Sequence, residues 1–222
     1  MDLTVAVIAK QCLPGRVKTR LSPRLTPEDA ANLAQLSLSR TLDTVRLLPL
    51  RHRVLVMDGT PTRRDAEHFT VVPQASGGLD ERLAAICDAA DGPLLIIGMD
   101  TPQISRHHVA PLLRDWSSDP AMHDAWMGPA TDGGFWALAL RQPHGALIRG
   151  VAMSTDRTGA EQLARLSAAG LSVGILPELR DMDYFDDAVE IAAGIPGTEF
   201  SCAVAEAADR THGSPLGAGA LR

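Results

Sequence analysis

The chain has 222 residues, 45% of them hydrophobic and 22% charged, which suits one large globular domain or one domain with an appendage. Its 21 basic and 27 acidic residues give a net charge of −6, which argues against a nucleic-acid scaffold. No apolar run approaches the roughly 18 residues that cross a bilayer, and the short run at residues 3–9 lacks the basic leader of a signal peptide.

The predicted elements alternate between strand and helix. Residues 3–9 are an apolar, β-branched run, the pattern of a strand buried on both faces. Residues 10–23 form a loop rich in Pro, Gly and cations. A helix then starts at the N-cap Thr26, with Pro27 at its first position and Asp29 three residues after the cap, and it runs to about Leu48. Residues 53–57 read as the second strand, followed by a short helix and a weak strand near 70–72. Residues 78–90 are helical, 94–97 are the third firm strand, and 105–116 are helical again. Two shorter strands, 125–127 and 135–140, flank a Gly/Asp loop. Helix 157–169, strand 172–176 and a final helix at 184–193 complete the pattern.

Strands separated by helices predict an α/β fold, a three-layer sandwich around a mostly parallel sheet with a mixed edge. One domain is expected over residues 1–194, with 195–222 as a C-terminal extension whose last part, 211–222, is Gly/Ala-rich and tail-like.

Several chemistries find no support. The three scattered cysteines (Cys12, Cys87, Cys202) form no C-x-x-C pair, which suits a reducing cytoplasm and excludes a disulfide framework or a cysteine zinc site. His107 and His108 are adjacent on a helix and so face different ways, and no H-E-x-x-H exists. There is no G-x-S-x-G elbow. Three Trp, one Tyr and four Phe give no stacking platform for single-stranded nucleic acid.

Ligands of parallel α/β sheets sit beyond the carboxyl ends of the strands, and three groups fall at such ends. The first follows the first strand: residues 10–20 hold Lys10, Gly15, Arg16, Lys18 and Arg20 ahead of a helix, a composition that can bind phosphates by charge and by backbone N–H groups. Only two of the 21 basic residues are lysines, and both lie in this loop. It is neither a Walker A loop nor a G-x-G-x-x-G dinucleotide loop. The second group is Asp100, which ends strand 94–97 and is placed either to hold Mg²⁺ or Mn²⁺ against phosphates or to form an Asx turn. The third is Asp181-Met182-Asp183, whose acids share one face if the segment is extended; either could complete a metal site, and Asp183 could also be a helix N-cap.

These blocks, in order, resemble a family of small bacterial GT-A-fold transferases (DUF2064), described as glycosyltransferases of the selenodomain-associated or arsenosugar-biosynthesis type. Ala9-Lys10 and Pro14-Gly15-Arg16-Val17-Lys18-Thr19-Arg20-Leu21 are similar to its opening motif. Gly78-Leu79-Asp80-Glu81-Arg82-Leu83, Ile97-Gly98-Met99-Asp100-Thr101-Pro102 and Gly128-Pro129-Ala130-Thr131-Asp132-Gly133-Gly134-Phe135 match its inner blocks. Met153-Ser154-Thr155 and Leu179-Arg180-Asp181-Met182-Asp183 match its last two, so the resemblance covers residues 4–190. Gln11-Cys12-Leu13 and Phe135 depart from the usual pattern, at positions that bear on the second substrate.

The resemblance implies a nucleotide-diphospho-sugar transferase fold, related to phosphoenolpyruvate and 2-phospholactate guanylyltransferases. It places Ala9, Lys10, Gly15, Arg16 and Lys18 on the nucleotide, with Gly78 and Leu79 near the base. Asp100 and Asp183 become the ligands of Mg²⁺ or Mn²⁺, and Asp132, Gly133, Gly134, Ser154 and Thr155 fall on the acceptor side. Asp100 and Lys18 would act on the leaving diphosphate, and Asp132 is the candidate general base, with loop tethering as its other reading. The expected reaction is glycosyl transfer from a nucleotide sugar to a small acceptor. The alternatives are nucleotidyl transfer from an NTP to a phosphorylated small molecule, and a non-catalytic nucleotide sensor. Partners are thus a nucleotide sugar or NTP and a small molecule, with no nucleic acid and no membrane span; an oligomer stays open.

Overall fold

The computed structural model describes residues 2–22 and 24–213, the last three by backbone only. Side chains alternate across the first strand, β1 (Thr4–Lys10): Val5, Val7 and Ala9 enter one core, and Ala6 enters the other with Ile8 packed beside it. A strand apolar on both faces has to be covered on both faces. β2 (His52–Asp58) and β4 (Leu94–Gly98) flank β1 in parallel, with Lys10 level with Asp58 and Ile8 level with Gly98. β3 (Thr70–Pro73), β5 (Ala125–Pro129), β6 (Phe135–Leu140) and β7 (Val173–Ile175) complete a seven-stranded sheet in the order β3-β2-β1-β4-β6-β5-β7.

The sheet is mixed, but not at its edge. β6 runs antiparallel to both neighbours and sits between β4 and β5. The turn at 130–134, closed by an Ala130 N–H to Gly134 carbonyl bond, returns the chain beside β5. The apolar sequence of β6 then favours an interior position, where five of its six residues are buried.

α1 (Pro27–Arg46) and α4 (Arg106–Asp115) cover one face through Leu38, Leu42, Val45, Val109 and Leu112. α3 (Leu79–Asp88) and α5 (Thr158–Ala168) cover the other through Leu83, Ala84, Cys87 and Leu166. α2 (Arg63–Ala66) is a single turn before β3. Thr26 caps α1 as its sequence predicts, its hydroxyl accepting from the Asp29 N–H at 3.1 Å.

The chain does not leave the domain at residue 194. α6 (Phe185–Gly194) is followed by α7 (Glu199–Gly213), and Phe200, Val204 and Ala207 pack against Leu33 of α1 and Phe185 and Ile191 of α6 in a third core. Their spacing puts them on one helical face, so the extension expected from residue 195 is, to residue 210, part of the packed domain. Residues 214–222 of the expected tail lie outside the described residues. Among the described residues no helix is long and apolar enough to cross a membrane.

Candidate active site

The strand order reverses direction between β1 and β4: β2 and β3 extend the sheet one way from β1, and β4 and β6 the other. Such a switch point leaves a crevice beyond the strand ends. Lys10 is the last residue of β1, and Asp100 lies just past β4. A cavity of about 600 Å³ opens there, lined by both residues. A smaller one of about 280 Å³ joins it under the loop after β1.

Lys18 holds the centre. Its ammonium lies 3.0 Å from Asp100 Oδ2 and 3.0 Å from Asp183 Oδ1, and its side chain is only 9% exposed. Arg20 Nη1 takes the other oxygen of Asp183 at 3.0 Å. Lys18 has a left-handed backbone (φ 48°, ψ 41°), a conformation that costs a non-glycine residue on the order of 1 kcal/mol and that the two ion pairs offset. Burial works to lower its pKa, but Asp100 and Asp183 outweigh burial and hold it above the usual lysine value.

The segment after β7 is fixed beside Asp100 from below. The Met182 N–H donates to the Asp100 carbonyl at 2.9 Å, and the Met182 side chain is fully buried. The acids on either side, Asp181 and Asp183, both line the larger cavity. Among the acids of the site Asp181 has a raised pKa: burial first, then the charges of Asp100 and Asp132, push it up to about 7.

Most of the residues singled out from sequence converge here. Ala9, Lys10, Leu79, Asp100, Asp132, Gly134, Ser154, Thr155 and Asp183 line the larger cavity, and Arg16 and Lys18 join Lys10 in the smaller. Asp132 Oδ1 accepts the Gly134 N–H at 2.8 Å, so one oxygen tethers its loop. Three glycines differ from the rest. Gly15 lies in an exposed turn with open space around it, and Gly78 is the N-cap of α3; neither lines the larger or the smaller of these two cavities. Gly133 (φ +88°) is a packing residue: a Cβ there would lie 2.0 Å from the Asp156 carbonyl oxygen, and its own carbonyl accepts the Gly159 N–H at 2.8 Å.

The structure adds residues that sequence reasoning did not assign. Thr101 and Asp156 line the cavity next to residues that were assigned, so position in a motif could have found them. Arg82 also lies within the block at residues 78–83; its Nη1 donates to Gln74 Oε1 at 3.2 Å and its Nε to the Gly77 carbonyl. Gln74 itself donates to the Ala9 carbonyl at 2.7 Å and had no sequence signal.

The donor set fits a hard divalent cation. Asp100 Oδ1 is buried and has no hydrogen-bond partner, an oxygen left free while Oδ2 is paired to Lys18. Asp181 beside it is a second oxygen donor, and Asp183 a third whose two oxygens are both held by cations. No set of three or more His, Cys, Asp or Glu residues among the described residues forms a ready-made metal cage. A small cation bound by one or two carboxylates and completed by ligand phosphates is the mode Mg²⁺ favours.

The fold is shared with solved structures of nucleotide-using transferases. A protein from Desulfovibrio desulfuricans G20, whose assignment as a nucleotide-diphospho-sugar transferase is provisional, superposes with a TM-score of 0.80 at 20% identity, over 96% of this chain and 98% of its own. CMP:2-keto-3-deoxy-manno-octonic acid synthetase, solved with CTP, matches with a TM-score of 0.56 at 12% identity, over 88% of this chain and 98% of its own. A cytidylyltransferase from Leptospira borgpetersenii matches with a TM-score of 0.54 at 10% identity, over 96% of both chains. At these identities the likeness establishes the fold. The chain belongs to the DUF2064 family of uncharacterized proteins conserved in bacteria, whose model matches residues 41–155, just over half of the sequence. No curated protein sequence matches it.

Proposed function

We propose that the chain is a transferase that uses an activated nucleotide, and that its reaction is glycosyl transfer from a nucleotide-diphospho-sugar to a small acceptor. The observation that carries this reading is the convergence of Lys10, Lys18 and Asp100 in a crevice of ligand size at the switch point. Lys10 makes no ion pair among the described residues, so its ammonium is available to a diphosphate. Lys18 is held by two carboxylates, which fix a compact cation where negative charge develops on a leaving diphosphate. Leu79 and Leu83 of α3, with Ile8 of β1 and Ile96 of β4, give the cavity an apolar wall suited to a base. Asp132, with one oxygen on its loop and the other free, is the candidate base for the acceptor. Asp100, with Asp181 or Asp183, would hold Mg²⁺ or Mn²⁺, which when bound neutralises the departing diphosphate.

Nucleotidyl transfer from an NTP is the second reading, supported by the likeness to cytidylyltransferases and to a synthetase solved with CTP. The test is a thermal-shift panel of nucleoside diphosphates, their sugar conjugates and NTPs, each with Mg²⁺ or Mn²⁺. A ligand at 100 times its Kd adds about 2.7 kcal/mol of apparent stability. Stabilisation by a diphosphate and its sugar conjugate supports glycosyl transfer, and stabilisation by an NTP alone supports nucleotidyl transfer. No response to any nucleotide refutes both.

A further inference from the structure

The larger cavity is divided by charge. Its cations come from one half of the sheet: Lys10 ends β1, Arg20 follows in the next loop, and Arg82 stands on α3. Its acids come from the other half: Asp132 from the β5–β6 turn, Asp156 from the segment after β6, and Asp181 and Asp183 from the segment after β7. Asp100, after β4, lies on the border. Lys18 and Arg20 compensate Asp100 and Asp183. Asp132, Asp156 and Asp181 form no ion pair among the described residues, and Arg157, next to Asp156 in sequence, is turned to Glu161 at 3.7 Å instead.

A second feature lies at the border, next to Asp100. Thr101 is 1% exposed and lines the cavity, yet its hydroxyl has no hydrogen-bond partner. Buried hydroxyls are nearly always paired, so a ligand hydroxyl or amine is the natural partner. Phe135, Met153 and Tyr184 line the cavity too and give a ring an apolar surface to lie on.

Resting on the transferase reading above, we infer that the acceptor is an uncharged polyhydroxyl or amine-bearing ring, such as a sugar or amino sugar, and not a phosphorylated or carboxylated molecule. Asp132 and Asp156 accept hydrogen bonds from hydroxyl or ammonium groups but repel an anion. A divalent cation on Asp100 would reduce the negative charge at the border and leave Asp132 and Asp156 as they are. In the transfer, the acceptor oxygen or nitrogen bonds to the anomeric carbon of the donor sugar. The bond from that carbon to the diphosphate oxygen breaks, its electron pair leaves with the nucleoside diphosphate, and the acceptor proton passes to a cavity carboxylate and then to water. Nucleotidyl transfer to a phosphorylated molecule would instead set an acceptor phosphate among these carboxylates.

The test uses three probes with one ring and different charge, namely glucosamine, glucose and glucose 6-phosphate. Their binding is measured by ligand-observed NMR on the full chain saturated with inorganic pyrophosphate, which occupies the cation half without any assumption about the base. Glucose and glucosamine should bind at least tenfold more tightly than glucose 6-phosphate, and in Asp132→Asn/Asp156→Asn the gap should narrow to about threefold or less. Single Asp132→Asn, run in parallel with a melting curve, guards against misfolding of the double variant. The inference is overturned if glucose 6-phosphate binds the wild type as tightly as glucose, if the folded variants keep the wild-type order and gap, or if no ring binds. A failed nucleotide panel would refute the transferase reading separately, since this measurement contains no nucleotide.

Discussion

Lys18→Met shortens the side chain by one atom and deletes its charge, and its effect can be worked from the geometry. The ammonium is 3.0 Å from two carboxylates and almost wholly buried, while Asp100 and Asp183 are 37% and 31% exposed. Removing one partner of a fully buried pair costs about 3–5 kcal/mol, whereas exposed pairs contribute about 0–1 kcal/mol. The half-open acids place this site between those limits, at about 1–2 kcal/mol. For a chain of this size that is a fall in melting temperature of about 3–6 °C.

The fall should depend on pH. Asp181, pushed up to about 7 by burial, Asp100 and Asp132, is also drawn down by Lys18, so its carboxylate is neutral near pH 5 and ionised near pH 8. Without Lys18 the acids face one another uncompensated only when ionised, so the deficit should be larger at pH 8 than at pH 5. Nucleoside diphosphate affinity should fall about tenfold or more, equivalent to about 1.4 kcal/mol. The assay is differential scanning fluorimetry at both pH values, with and without ligand. A variant that melts with the wild type at pH 8 and binds as tightly would refute this account of the ammonium.

Other consequences are open to the same measurements. Asp100→Asn should melt a few degrees below the wild type, because the buried Lys18 ammonium keeps only Asp183 as a charged partner, and should bind nucleotide with no enhancement by Mn²⁺; retained metal response would remove Asp100 from the cation site. The pKa of Asp181 is raised on folding, so its neutral form stabilises the fold at low pH and that stability is lost as pH rises from about 4 to about 7. Asp181→Asn should therefore flatten the decline in melting temperature between pH 5 and 7.5, and an unchanged slope would contradict the cause given. Phe200→Ala should cost about 3–5 kcal/mol by opening a cavity where α7 meets α1 and α6; a loss below about 1 kcal/mol in chemical denaturation would show that α7 is not part of the core.

Local pattern carried the elements of this protein. The alternation in residues 4–10, the Thr26-Pro27-Glu28-Asp29 helix start and the apolar runs at β2 and β4 depend on neighbours a few residues apart, and each forms where its sequence predicts. The ordered blocks also put Lys10, Lys18 and Asp100 at or just beyond the ends of predicted strands, which was enough to name them. What local pattern does not contain is which strand pairs with which. The position of β6 inside the sheet depends on the whole order β3-β2-β1-β4-β6-β5-β7, and that order brings Asp132 and Asp156 into one cavity with residues of β1 and α3. Lys18 meets Asp183 across 165 residues of chain, a pairing fixed by the packing of Met182 beside Asp100. Local pattern does not predict α7, because Phe200, Val204 and Ala207 make a sparse apolar face in an Ala-rich segment, and only the surface left open on α1 and α6 shows why they are buried. The residues that do chemistry were legible one by one; the charge division between them comes from long-range burial, which sets each group's neighbours without regard to distance along the chain.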